Sequence, residues 1–555
     1  MFRIPRDWWQ ITLFAAATTT WIGTAQAHQM LYDQDGYRLA VGIEAGLGGF
    51  SVGNVDTGAG NVNTDAPLQG PFPPSERRTT RDWFEGFVKP FAELETPFFD
   101  FGHTYALVSV VGALTRGNGD ATSSLAPQGA RSTTSDAPQH AALEDAVIGW
   151  HSGNLFADSL GEDAIELSGG RQSFVLGDSF LLGAGVVNGF GRAAFYLQPR
   201  ASFDGAAILK LNLSPVRAKL FHLENRVDQD LMQGFDQPKT KFFGLDIVLF
   251  EASEEEPSPK AAGEKQARKA AQAVQTTRVK KEVPDLWSAG FDFLHVYDAD
   301  STPGTFSFPL GEPSPTLSIY GNRNGLNVYS GYLAGSFFKF DPNIRFHSQF
   351  ALERNDSVDR RVNAAAWYVE PGYKFSTLPW TPLLSLRYAH FSGDPNPNDR
   401  LKQSYDPLFT TGGDRGFGSW FLGEIFGQYI SPNSNLDVAM AHLKFLPLDT
   451  IEAGIIYYDF HFDQTAQFNN PNITSKNAAQ EVDFYSVWSA SEWLTLSGVL
   501  GRLCLLLLYT RDRSHHRCRS QNRRQGSASQ PVLSQHRRNA GQQAGLVHPE
   551  RHRQD

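Results

Sequence analysis

The 555-residue sequence predicts one transmembrane antiparallel β-barrel of about 16–18 strands, lacking its closing strands at the C-terminus. Three observations carry this. Runs of about ten residues repeat along the chain with apolar and polar side chains in strict alternation, which is the period of a strand with one wet and one dry face. Aromatic residues make up 12% of the chain and glycines number 51, as barrel girdles and tight turns require. No internal run approaches the ~20 apolar residues of a spanning helix. The mean hydropathy is −0.34, and a barrel keeps such a value because half of each strand faces water.

The pattern starts at Gly36–Gly53, and the barrel is expected from about residue 36 to 501. Ser75–Arg81 and the polar stretch Thr115–Ala141 read as loops. Ala207, Leu209, Leu211 and Leu213 alternate with Ile208, Lys210 and Asn212, and Ser214-Pro215 turns the chain. Val216, Ala218 and Leu220 then alternate with Arg217 and Lys219, so this hairpin predicts an inner basic stripe. Phe243, Leu245, Ile247 and Leu249 oppose Gly244 and Asp246. Trp287, Ala289, Phe291 and Phe293 oppose Ser288, Gly290 and Asp292. Ile344, Phe346, Ser348 and Phe350 oppose Arg345, His347 and Gln349. Trp367, Val369, Tyr373 and Phe375 oppose Tyr368, Glu370 and Lys374, and Leu384, Leu386 and Tyr388 oppose Ser385 and Arg387. Between Leu436 and Leu446 the phase changes near Ala441, which predicts a bulge. Tyr405–Phe462 reads as three strands joined by short turns. Gly418, Trp420, Leu422, Glu424, Phe426 and Gln428 then share one face.

Three segments break the pattern. Residues 1–27 read as a secretory signal peptide: Arg3 and Arg6 precede an apolar run from Trp8 to Gly23, and Ala25-Gln26-Ala27 is a small-x-small cleavage site before His28. The barrel domain is then 28–501. Within it, 251–285 is a charged Ala/Lys/Glu-rich insertion loop, with a short helix expected over Ala261–Ala273. Residues 502–555 hold 11 Arg, no Lys and three acids, with both cysteines of the chain, Cys504 and Cys518. This basic tail loses all periodicity and is expected to be poorly packed, as an out-of-frame end would be. His515-His516 with Cys518 does not have the spacing of a zinc site.

The chain carries −10 overall. The tail contributes 11 − 3 = +8, so residues 1–501 carry −18. An acidic barrel excludes general nucleic-acid binding. The candidate pore-lining residues are Lys210, Arg217, Lys219, Asp246, Arg345, Glu370, Lys374, Arg387 and Glu424, with Asp292 and Glu353 among the inward acids. A basic lumen would draw anionic polymers. The same charges could instead pair with one another and fill the lumen. Gly177-Asp178-Ser179-Phe180 echoes a serine-hydrolase block, but no Asp-x-x-His partner follows it in the barrel part. No phosphate loop, metal quartet or dinucleotide motif is present, so neither an enzyme nor a cofactor or resident metal is predicted.

Tyr-Asp-Pro-Leu-Phe from Tyr405, Gly418-Ser419-Trp420-Phe421, Gly423-Glu424-Ile425 and Asn433-Ser434-Asn435-Leu436 resemble the C-terminal half of the alginate-export family of outer-membrane channels. Gly170-Arg171-Gln172, at the head of a strand-like run, is similar to another marker of that family. The resemblance spans roughly Arg38 to Gly501, with its specific motifs in these two places. Leu422 and Gln428 stand where the family often has polar residues, and apolar Leu422 departs from that pattern. The resemblance implies an outer-membrane location, with lipid around the barrel. It also implies export of an anionic uronate polysaccharide through an arginine-rich pore, and room for periplasmic export partners. A substrate-specific porin for small solutes and a non-transporting envelope barrel stand as alternatives on the same architecture.

Overall fold

The computed structural model describes residues 14–53, 80–117, 139–183, 185, 193–194, 196–226, 239–252, 285–299, 304–307, 316–320, 323–338, 340–356, 361–409, 417–418, 422–430, 433–468 and 474–505. They form 21 strands: β1 (Phe14–Gln34), β2 (Tyr37–Gly53), β3 (Thr80–Pro97), β4 (His103–Gly117), β5 (Gln139–His151), β6 (Ile165–Gln172), β7 (Phe203–Leu213), β8 (Val216–Arg226), β9 (Lys239–Ala252), β10 (Asp285–Ala299), β11 (Gly304–Ser307), β12 (Thr316–Tyr320), β13 (Asn327–Gly335), β14 (Ile344–Asn355), β15 (Arg361–Lys374), β16 (Leu383–Phe391), β17 (Leu401–Lys402), β18 (Leu436–Leu448), β19 (Ile451–Phe462), β20 (Asn477–Ser491) and β21 (Leu494–Leu505). β11 and β12 pair only with each other, and β17 lies parallel to the start of β15. The other 18 strands close an antiparallel barrel, each pairing with its neighbours in chain order.

The alternation read from sequence is the alternation of the wall. On β15, Val362, Ala364, Ala366, Tyr368 and Glu370 are buried inward, while Trp367, Val369 and Tyr373 are exposed on the outside. Leu220, Ile247, Leu249, Phe291, Leu386, Phe484 and Leu500 belong to the same exposed outer face. Such a continuous apolar surface is at home only against lipid, where each large side chain is worth about 1.5–3 kcal/mol relative to water. No helix among the described residues is long and apolar enough to cross a membrane, which says nothing of a barrel.

The two rims differ. One is made of short turns: Asp35-Gly36, Ser214-Pro215, Asp449-Thr450 and Glu492-Trp493. Asp35 and Gly36 take φ of 54° and 80°, the left-handed pair that matches strand twist in a two-residue hairpin. Exposed aromatics ring this rim at Phe98, Phe99, Phe101, Phe340, Trp380 and Trp493. Strand order puts both ends of the charged insertion here, because β9 runs to Ala252 and β10 begins at Asp285. Residues 253–284, including the expected helix, lie outside the described residues. The opposite rim carries the long connections, and the described residues of two of these, 173–202 and 392–435, fold into the barrel.

Four observations bear on these expectations. First, the barrel closes. β21 runs past Gly501 to Leu505 and pairs with β1 from Phe14↔Leu505 to Ala25↔Leu494, so no strand is missing. The tail from 506 onward lies outside the described residues. Second, β1 crosses the expected cleavage point before His28, because its Ala/Thr-rich first half, with β-branched Thr18–Thr20 and Ile22, suits a strand as well as a leader. Every β1 residue that pairs with β21 lies within 14–25, so cleavage there would remove the whole closing contact. Third, the irregularity in β18 falls between Phe445 and Leu448, not near Ala441. Pro447, which has no N–H for the ladder, sits in it. Fourth, the part of Tyr405–Phe462 that precedes β18 holds no strand among its described residues. It is an inward loop ending in a π-helical turn, Gly423–Ile430. Gly418 and Gly423 have φ of 75° and 89°, which breaks any extended run. Leu422, Ile425 and Phe426 are all buried there, against strand alternation.

Candidate functional site

The lumen is the candidate site, and its first feature is a rung of charge across neighbouring strands. The register places Glu166 beside Lys210, Lys210 beside Lys219, Lys219 beside Asp246, Asp246 beside Asp292 and Asp292 beside Ser330. All point inward, because they hold the phase opposite to Leu209, Leu220, Ile247 and Phe291. Lys210 Nζ lies 3.2 Å from Glu166, and Lys219 Nζ lies 3.3 Å from Asp246. Gln349 donates to Ser330 Oγ at 2.8 Å and extends the rung. The hairpin's two lysines are therefore each matched to a carboxylate. Arg217, the third member of the expected stripe, lays its guanidinium 4.0 Å from the centre of the Phe250 ring.

A second group sits on β14–β16. Arg387 is buried, donates to Glu370 at 2.8 Å, and sends Nη1 to the carbonyl of Gly418 at 2.9 Å. It thereby ties the inward loop to the wall. Arg345 and Lys374 hold inward positions at the short-turn rim, Arg345 exposed and Lys374 half-buried. The six basic residues are thus divided between β7–β8 and β14–β16 and do not form one belt. Glu424 lies on the π-helical turn and is half-buried, so its expected place on a strand face is corrected. Trp420 lies outside the described residues. Gly170-Arg171-Gln172 ends β6 instead of heading a strand. Gly170 has φ of 116° where the ladder slips, and Arg171 pairs with Asp204.

The lumen also holds acids that share one role, and of these the sequence reading singled out Glu353 alone. Glu85 Oε2 accepts the N–H groups of Tyr196 and Leu197 at 2.9 and 3.0 Å. Glu144 Oε1 accepts those of Ala201 and Ser202 at 2.7 and 2.9 Å, while Oε2 takes Arg200 at 2.9 Å. Glu353 accepts the N–H of Asp406 at 3.0 Å. Glu481 accepts those of Ile425 and Phe426 at 2.7 and 2.9 Å, and Asp483 that of Glu424 at 3.2 Å. Wall carboxylates therefore clamp the backbone of both inward loops. The signal was available: in Trp83–Glu95 the charged residues Glu85, Lys89, Glu93 and Glu95 all fall on the inward phase.

The loops meet each other inside. Leu182 and Phe409 form a parallel bridge. Arg323 grips Asp406 with two hydrogen bonds of 2.6 and 2.7 Å. Burial pushes the Asp406 carboxyl up, but Arg323 and Lys402 outweigh it and hold the group below the ordinary carboxylate range. Burial pushes the Tyr405 hydroxyl well up, aided by Glu353 and Asp406. Around these charges lies an aromatic core: Phe180 with Tyr368, Phe391 and Tyr405, and Phe409 with Phe203 and Phe242. The lumen is not uniformly wet, as alternation alone had suggested. Ser179 lies in a turn at φ 73°, and its buried Oγ hydrogen-bonds to no group among the described residues.

Residues 341–496 match the family described as Alginate export. The segment runs from the turn before β14 into β21 and includes Glu370, Arg387, Glu424 and Glu481. The match covers part of the closed antiparallel barrel. No curated protein matches the chain. Solved structures that overlap it include OprB of Pseudomonas putida at high pH, with 8% identity, 89% of this chain and 94% of that one covered, and a TM-score of 0.33. OccAB4 of Acinetobacter baumannii gives 10% identity, 89% and 97% coverage, and a TM-score of 0.38. A mutant Rh. blastica porin gives 8% identity, 88% and 100% coverage, and 0.29. Overlaps at such scores leave the fold and the cargo to be argued from this chain's own residues.

Proposed function

We propose that this chain is a channel that exports an anionic polysaccharide of the alginate type across the outer membrane. The observation that carries the reading is the family match over 341–496, the region that supplies Arg345, Lys374 and Arg387 to the inner wall. Arg345 and Lys374 stand at the short-turn rim, where a polymer approaching from the periplasm would enter. Their charges would raise the local concentration of a polyanion. Arg387 is engaged with Glu370 and Gly418, so in this reading it shapes the passage and does not itself bind cargo. Export implies periplasmic partners that deliver the polymer.

A second reading, a porin for small solutes, is favoured by the inward loops. The aromatic core around Tyr405 and Phe409 narrows what can pass, and Lys210 and Lys219 are neutralised in place. Planar-bilayer conductance separates the two. The export reading expects anion selectivity, block by added polyuronate, and a several-fold loss of both in Arg345→Gln/Lys374→Gln. Cation selectivity with indifference to polyuronate would overturn export and leave the porin. A barrel that conducts nothing would overturn both.

A further inference from the structure

We propose that Glu95, His103 and His151 form a binding site for a divalent transition-metal ion of the zinc class, inside the short-turn rim of the barrel. The sequence offers no spacing signal for it, because the three residues come from the ends of three adjacent strands, β3, β4 and β5. The register brings them together: His103 pairs with His151 across β4 and β5, and Glu95 lies two residues from Pro97, which pairs with His103. All three point inward. Glu95 and His151 are buried, and His103 keeps 32% of its side chain exposed, which leaves a way in from the rim.

The donor atoms converge. Glu95 Oε1 lies 3.3 Å from His151 Nε2 and 3.7 Å from His103 Nδ1, and one ligand atom from each residue fits within 4.8 Å of the others. Two ligands bonded to a tetrahedral zinc ion at about 2.0–2.1 Å stand about 3.3–3.4 Å apart, so the spacing is that of a coordination sphere. One carboxylate and two imidazoles are a donor set that such ions favour and that calcium and magnesium do not.

The outer shell is also in place. His151 Nδ1 lies 2.8 Å from Asp163 Oδ1. An ionised carboxylate only accepts, so Nδ1 carries the ring proton, and the Gly153 N–H at 3.2 Å is the weaker neighbour. That tautomer leaves Nε2 with a lone pair facing the Glu95 carboxylate. Two acceptors at 3.3 Å need a cation between them, either a proton or a metal ion. A carboxylate that orients a histidine through its far nitrogen is the usual support of a metal-bound imidazole. The two rings stand nearly parallel, at 6°, so binding turns one of them, and the partly exposed His103 has the room.

The test uses the full chain refolded in detergent, titrated with Zn²⁺ by calorimetry and with Co²⁺ by visible absorption. The expected result is one tight equivalent in the barrel, with the intense absorption of a four-coordinate cobalt site. His103→Ala should weaken it by at least 100-fold. Asp163→Asn, which touches no metal, should weaken it 10–100-fold. Heat-modifiable gel migration shows that each variant still folds. The tail's own histidines, His515 and His516 among them, could also take up metal. Binding that persists unchanged in His103→Ala is therefore tail binding and overturns the proposal, as does a wild-type chain that binds neither ion. Binding lost in His103→Ala but unchanged in Asp163→Asn would overturn the assigned role of Asp163.

Discussion

Glu144 and Glu481 hold the two inward loops from different parts of the barrel wall, and they do it by different means. Each is fully buried and each accepts two backbone N–H groups. Glu144 also carries Arg200, with Arg171 at 3.9 Å, so a cation shares its burial. Among the described residues no cation pairs with Glu481. Its neighbours are Asp483 and the first N–H groups of the π-helical turn. Helix-like starts present unsatisfied N–H donors and a partial positive charge, and these take the place of the cation. The lesson is that the same side chain in the same role should respond differently to substitution, according to what it leaves behind.

The largest expected effect is Glu144→Ala. It strands Arg200, which is 5% exposed, and a buried charge robbed of its partner costs about 3–5 kcal/mol. The shift in denaturant midpoint of the folded, fast-migrating gel form reads this. A loss under about 1 kcal/mol would mean that Arg200 finds water or another acceptor, and the contrast would weaken. Glu481→Gln comes next. The amide keeps one acceptor for Ile425 or Phe426 and abandons the other N–H, so about 1–3 kcal/mol is expected. A cost equal to that of Glu144→Ala would show that the π-helical turn needs the full negative charge.

The smallest effect at neutral pH is the acid response of the third clamp. Asp406 is held below the ordinary carboxylate range, so its folded pKa is lower than the unfolded value of about 3.9. Its contribution is then fully present above about pH 4 and is lost as pH falls through the lower, folded value. Amide exchange at Asp406 and Leu408, whose N–H groups meet Glu353 and Asp406, should stay slow from neutral to about pH 4 and rise below it. Arg323→Gln should move that rise to higher pH. An exchange rate indifferent to the substitution would separate the Arg323 fork from loop retention.

Much of the barrel is legible in the sequence for a simple physical reason. A strand whose two faces meet lipid and lumen must alternate, so Leu209/Lys210, Ile247/Asp246 and Trp367/Glu370 announce both the strand and the direction of each side chain. The two-residue turns at Asp35-Gly36 and Ser214-Pro215 mark their own places, since few residues accept such backbone. An inward direction does not name a partner, however. That Lys210 meets Glu166 and Lys219 meets Asp246 depends on which strands lie side by side and in what register. The glutamates that clamp the loops gave a period-2 signal, but their ligands are backbone N–H groups, and any sequence supplies those. Glu424 read as a strand residue because alternation over a few positions cannot exclude a helical turn, and only the carboxylates of Glu481 and Asp483 on a distant strand make that turn stable. Closure belongs to the tertiary structure for the same reason: β1 meets β21 across nearly the whole chain, and no local pattern encodes a contact between residues 14 and 505. The sequence by itself determined the class of fold and the direction of its side chains. The tertiary structure alone decided which charges neutralise each other and what fills the lumen, because pairing energy depends on distances between strands that the chain order leaves open.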